Sequence, residues 1–204
     1  MPLRNRVDPF GAIHAVADRG TMYGNRGGRF HRDDGTLKAR AWASDQWLCC
    51  VLAFKGRKRR PLMGRGYTEL FFLDEVTALA AGHRPCFECR RADAVRFAAN
   101  WARAKGLSQP PKAPEMDALL QTERVDGLTQ RAHRGTAADL PDGAMFAVGG
   151  RAFAMRNRRA LPWSFAGYGD AVALPAGEVS VLTPPTMVAV LRDGFEPGWH
   201  PSAG

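Results

Sequence analysis

No stretch of this 204-residue chain approaches the 18 consecutive apolar residues that a membrane-spanning helix needs. The start, Met1-Pro2-Leu3-Arg4-Asn5-Arg6, lacks the apolar segment of a signal peptide, so a cytoplasmic protein is expected. Cysteine is scarce. There are four, Cys49, Cys50, Cys86 and Cys89, all within 41 residues. A reducing compartment keeps such thiols free, so the cluster points to metal or redox chemistry rather than to a disulfide framework. There is no internal repeat, no low-complexity tract and no P-loop or dinucleotide-binding spacing. No His-x-Glu occurs either. His14, His31 and His83 are followed two residues later by Val16, Asp33 and Pro85. Pro85-Cys86-Phe87-Glu88-Cys89 therefore lacks the upstream partner of a zinc deaminase. His133 and His200 have no partner close in sequence.

What the chain has is a core and an uneven charge. Hydrophobic residues make up 45% and charged residues 24%, enough for a packed interior. Residues 1–65 carry a net charge of +9, residues 66–112 of +2, and residues 113–204 of −2. The positive field thus belongs to the N-terminal third. Such a field attracts phosphate backbones, so DNA or RNA is the expected partner.

The pattern of residues predicts an α+β chain. Residues 1–45 read as irregular structure with short extended pieces; they include the Gly-rich run Gly24-Asn25-Arg26-Gly27-Gly28-Arg29. Residues 46–54 and 67–73 read as two strands of a β-hairpin, tipped by Lys55-Gly56-Arg57-Lys58-Arg59-Arg60-Pro61. Asp74 is a helix N-cap, and Gly82 with Pro85 ends that helix. A second helix is predicted from about Arg90 to Lys105, with Val95, Ala98, Trp101 and Ala102 as its apolar stripe. The reading divides the chain into a basic zinc-binding module at 1–107, a proline-rich linker at 108–114, and a mainly β region at 115–204. Within that last region, Gly149-Gly150 marks a hairpin turn between Met145–Val148 and Ala152–Met155. A strand at Val179–Leu182 and a short helix at Thr186–Arg192 follow.

Cys86-Phe87-Glu88-Cys89 is a C-x-x-C motif between two predicted helices, a spacing that lets both sulfurs reach one tetrahedral ion. Redox pairs with this spacing follow a strand, so zinc is preferred. Cys49 and Cys50 complete a four-thiolate set, yet adjacent residues of a strand point to opposite faces. The alternative is that one of the two ligates while His31 or His83 supplies the fourth position.

The run from Phe71-Phe72-Leu73-Asp74-Glu75-Val76 through Ala78-Leu79-Ala80-Ala81-Gly82-His83-Arg84-Pro85-Cys86-Phe87-Glu88-Cys89-Arg90 resembles the N-terminal metal-binding domain of Ada-type DNA repair proteins. The likeness covers about residues 67–91. It rests on an aromatic strand end, an alanine-rich helix and Arg-Pro-Cys-x-x-Cys followed by a basic residue. His83 departs from it, because the family usually has an aromatic residue there. The resemblance implies Cys86 and Cys89 as zinc ligands. In the family four cysteines hold the zinc, and the first of an upstream pair accepts a methyl group from a DNA methyl-phosphotriester. That pair has three intervening residues, whereas Cys49 and Cys50 are adjacent.

The expected function is therefore a zinc-dependent nucleic-acid-binding protein in DNA repair or regulation. Zinc would be held by Cys49, Cys50, Cys86 and Cys89. Phosphates would be met by Lys55, Arg57, Lys58, Arg59, Arg60, Arg65, Arg84, Arg90 and Arg91. The alternatives are a zinc-thiolate alkyl-phosphotriester repair protein or another enzyme acting on nucleic acid. Trp163, Phe165 and Tyr168 are read as core aromatics or as a base-stacking surface.

Overall fold

The computed structural model describes residues 2–56 and 62–204. The chain is α+β, with one sheet in each half. The first sheet holds β1 (Arg6–Val7), β2 (Ile13–His14), β3 (Met22–Arg26), β4 (Trp47–Val51), β5 (Leu70–Phe72) and β6 (Arg84–Pro85). Helix α1 (Glu75–Ala80) leaves β5, and α2 (Arg91–Ala104) follows β6. Helix α3 (Ala113–Arg124) and a small ribbon, β7 (Val125–Asp126) with β8 (Thr129–Gln130), lead to the second sheet. That sheet comprises β9 (His133–Thr136), β10 (Met145–Val148), β11 (Arg151–Arg156), β12 (Arg159–Ser164), β13 (Gly167–Tyr168) and β14 (Glu178–Val181), and α4 (Pro185–Arg192) closes the fold.

Strand order in the first sheet is β2-β1-β5-β3-β4-β6. The two strands expected to form a basic hairpin, β4 and β5, therefore do not pair with each other. β3 lies between them, antiparallel to both, with Tyr23 opposite Cys50 on one side and Phe71 on the other. A long connection leaves register to side-chain packing rather than to a turn. Here packing selects a strand from the glycine-rich segment. A Cβ at Gly24 would lie 2.2 Å from the Leu48 carbonyl oxygen and 2.7 Å from the Phe72 ring. Only glycine lets the three strands close.

Helix α1 begins as the sequence requires. The Asp74 Oδ1 accepts a 2.8 Å hydrogen bond from the Thr77 backbone N–H. It ends in a Schellman motif. Gly82 at φ +79° donates its N–H to the Leu79 carbonyl, and His83 donates to that of Ala78. Every residue of α1 is buried, because the helix lies between the two sheets. Ala78 and Ala81 pack with Val7, Leu70 and Phe72 of the first sheet. Val76 and Ala80 pack with Met145, Ala147 and Leu161 of the second. Leu79 joins a third cluster containing Phe97, Trp101, Phe146 and Val190.

The apolar clusters thus draw on residues from both sides of the expected 108–114 linker, and α3 already begins at Ala113. In α2 the buried stripe is Ala94, Phe97, Ala98, Trp101 and Ala102, while Val95 is exposed. The stripe is turned by one residue, and Phe97 meets Phe195, just beyond the end of α4, edge-on at 5.3 Å. The Gly149-Gly150 turn joins β10 to β11 with Val148 opposite Arg151. Among the described residues no helix is long and apolar enough to cross a membrane.

Candidate metal centre

The parallel pairing of β4 with β6 builds the centre; the C-x-x-C thus follows a short edge strand rather than a helix, and it is the third thiol, from β4, that favours a metal over a redox pair. Leu48 faces Arg84 and Cys49 faces Pro85 in register, so the next pair along is Cys50 and Cys86. The Cys86 N–H donates to the Cys49 carbonyl at 3.0 Å and locks this step. Pro85 has no N–H to offer, which the sheet tolerates because β6 is its edge strand. The chain then turns through Phe87 and Glu88, and the Arg90 N–H closes on the Cys86 carbonyl at 2.9 Å. That turn returns Cys89 to the same spot. The sulfurs of Cys50, Cys86 and Cys89 lie within 4.8 Å of one another and could hold a metal ion. No imidazole or carboxylate joins this group among the described residues.

The thiols favour charge on Cys86. Hydrogen bonds from Cys50 and Cys89 lower its pKa, and the Glu88 N–H approaches its sulfur at 3.4 Å. The Cys50 thiol is correspondingly raised, first by its bond to Cys86, then by Cys89 and burial. Against a lowering hydrogen bond with Cys50, the neighbouring Cys86 and burial also raise the Cys89 thiol, so these opposed shifts reflect three sulfurs close enough to hydrogen-bond one another.

Cys49 lies on the other face of β4. Its side chain packs in the cluster containing Val7, Leu70, Phe72 and Ala78, whereas Cys50 packs with Tyr23, Phe71 and Cys86. Burial raises the Cys49 pKa well above its ordinary value, and Glu75 adds to the effect. The nearest cation is Arg90, whose Nη1 lies 3.5 Å from the Cys49 sulfur. Strand alternation thus separates two adjacent cysteines into a ligand candidate and a core residue.

The two histidines lie elsewhere. His31 is buried with both ring nitrogens engaged, by Thr68 Oγ1 at 2.7 Å and by the Gly64 carbonyl at 2.9 Å. His83 is fully buried against Trp47 and Phe72, and its Nε2 accepts from Arg26 at 3.3 Å. Burial, then Arg26 and Arg124, drive its pKa well below the ordinary value, so it is a neutral core ring.

The described cationic candidates divide into two sets. Lys55, Arg65 and Arg91 are exposed. Arg84 is 1% exposed and grips Asp117 with two hydrogen bonds. Arg90 binds both oxygens of buried Glu75, at 2.6 and 2.7 Å, and reaches Asp93. Neither of these two guanidiniums is presented to solvent as a phosphate contact. Arg57, Lys58, Arg59 and Arg60 lie outside the described residues. The aromatic trio is tied into the fold. Tyr168 is buried and donates to Asp74, Trp163 donates to Thr77 Oγ1 at 3.0 Å, and Phe165 packs on Trp163 and His14.

Sequence reasoning did not find the pocket beside the thiols. It measures about 510 Å³ and is lined by Cys50, Cys86 and Cys89 together with Tyr23, Asn25 and Glu69, among others. Leu48 and Asn25 pair across β4 and β3, two residues from the Cys50–Tyr23 pair, and Glu69 immediately precedes β5. The even spacing of Leu48 and Cys50 was the available signal; the β5-β3-β4 strand order that brings Asn25 and Glu69 near them was not. Comparison with protein-family models, with curated proteins and with solved structures returned no match.

Proposed function

We propose that this chain is a zinc-binding, nucleic-acid-binding protein whose ion is held by Cys50, Cys86 and Cys89. The observation that carries the zinc reading is the β4–β6 register, which places one thiol from a strand beside two from a C-x-x-C turn. The donor set fits the ion. Zinc prefers thiolates at about 2.3 Å in tetrahedral geometry, which puts neighbouring sulfurs about 3.8 Å apart. The described sulfurs are already clustered on that scale. Zinc would neutralise the charge these thiols share and tie β4, β6 and the start of α2 together. A reducing, cytoplasmic setting would keep the thiols available.

The nucleic-acid reading is supported by the charge of the N-terminal third and by where its exposed cations lie. Lys55 and Arg65 flank the Arg57–Arg60 segment, and Phe54, Gly66 and Tyr67 of the same connection line the pocket beside the thiols. A backbone drawn to this connection would pass the metal centre. The resemblance to the Ada-type domain points the same way. Phosphotriester repair is the lesser reading, because Cys49, the first cysteine of the upstream pair, faces the α1 side of the sheet rather than the pocket.

Salt titration tests the proposal. Replacing Arg57, Lys58, Arg59 and Arg60 together by Gln should flatten the plot of log affinity for duplex DNA against log salt. Each lost phosphate contact lowers the slope by about 0.9. An unchanged slope would make this connection a solvated surface.

A further inference from the structure

We propose that the metal's fourth coordination position is not filled by the protein and takes an exchangeable ligand that enters through the adjoining pocket. The inference rests on the zinc reading and goes beyond it, since it makes the centre a ligand-binding or reactive one rather than a structural clasp. Structural zinc is closed by four protein ligands, whereas catalytic zinc has three and an open position.

Three observations carry it. The first is the count of donors. Among the described residues no histidine, aspartate or glutamate joins Cys50, Cys86 and Cys89. The remaining residues, Met1 and Arg57-Lys58-Arg59-Arg60-Pro61, contain no cysteine, histidine or carboxylate. The second is that the three obvious candidates for a fourth ligand are committed elsewhere. Cys49 faces α1, His31 has both nitrogens bonded to Thr68 and Gly64, and His83 is sealed between Trp47 and Phe72. Bringing Cys49 around would turn β4 over and expose Cys50 to the α1 side instead. The third is the position of the pocket. All three thiol residues line it, so the centre opens onto a volume of about 510 Å³ rather than onto packed core.

The lining indicates the class of ligand. Tyr23, Phe54, Tyr67 and Phe87 supply ring surfaces, while the Asn25 and Gln46 amides supply donors and acceptors. Glu69 adds a carboxylate that accepts the Met63 N–H at 2.5 Å. Rings with amides between them suit a planar polar molecule, and the metal would take one nitrogen, oxygen or sulfur atom of it. A nucleobase has this chemistry, as do smaller heterocycles. Imidazole is the minimal probe of the class.

The test uses the whole 204-residue chain with cobalt(II) in place of zinc, because cobalt reports its ligands by visible absorption. Charge-transfer bands count the thiolates, and ligand-field bands respond to the fourth ligand. Titration with imidazole should shift the ligand-field bands saturably while the thiolate bands persist. Cys49→Ala should leave both sets of bands and the imidazole response unchanged. Two results would overturn the inference and leave the zinc reading intact. One is a cobalt protein whose spectrum ignores imidazole. The other is loss of one quarter of the thiolate intensity in Cys49→Ala, which would mark a closed four-thiolate site. Failure of the chain to bind cobalt or zinc at all would overturn both. Because the imidazole titration is made on the unmodified sequence, it stands even if Cys49→Ala fails to fold.

Discussion

Arg84 and Asp117 form a buried two-pronged ion pair, with Nε to Oδ1 at 2.8 Å and Nη2 to Oδ2 at 2.6 Å. The pair joins the residue two before Cys86 to helix α3, 33 residues further on. It holds β6, and therefore the thiol centre, against the following part of the chain. Arg84 also donates to its neighbour's carbonyl at Pro85 and sits 5.5 Å from the Phe87 ring.

Breaking one side of this pair leaves an uncompensated buried charge. Asp117→Ala should therefore cost about 3–5 kcal/mol of stability. Denaturant unfolding measures it, and a cost near that of a surface substitution would mean the guanidinium finds another partner. A double substitution of Arg84 and Asp117 to apolar residues should cost less than Asp117→Ala alone.

Asp74 is the second buried carboxylate that joins the halves. It caps α1 through Thr77 and accepts from the Tyr168 hydroxyl at 2.9 Å and the His200 N–H at 3.0 Å. Burial raises its pKa, and these hydrogen bonds oppose that shift. Tyr168→Phe removes one bond to a charged acceptor and should destabilise by about 1.5–3 kcal/mol. If aromatic stacking on nucleic acid were the main role of Tyr168, the same variant would leave stability unaltered.

His83 predicts a pH dependence with a definite sign. Its pKa is held well below the ordinary 6.5 by burial and by Arg26 and Arg124. The unfolded chain therefore takes up a proton below about pH 6.5 that the folded chain refuses. The stabilisation is present above that pH and is lost as pH falls, by at most about 1.4 kcal/mol per unit. In His83→Phe this part of the decline should vanish. The variant should also be less stable at pH 8, because Arg26 loses the acceptor of its Nε–H. Unfolding curves at pH 5 and pH 8 for both proteins check this; parallel declines would refute the assignment.

Local chemistry was legible in the sequence and long-range pairing was not. Asp74, Gly82 and Gly149-Gly150 act through their own backbone neighbourhoods, so the α1 cap, its Schellman end and the β10–β11 turn could be read directly. The place of β3 between β4 and β5 could not, because Gly24 signals a close approach without naming the partner. Alternation along β4 says that Cys49 and Cys50 part company. Which of them meets Cys86 depends on the β4–β6 register, which no local feature encodes. Arg84 and Arg90 read as surface cations until Asp117 and Glu75 are placed beside them. Likewise the neutral state of His83 follows from Trp47, Phe72 and two arginines that are distant in sequence.

Metal analysis of the purified 204-residue protein and its single Cys→Ser variants decides whether three of the four cysteines hold one zinc ion. About one zinc per chain is expected, retained in Cys49→Ser and lost in Cys50→Ser, Cys86→Ser and Cys89→Ser. Folded protein without zinc, or zinc lost from Cys49→Ser but kept in Cys50→Ser, would rule this site out.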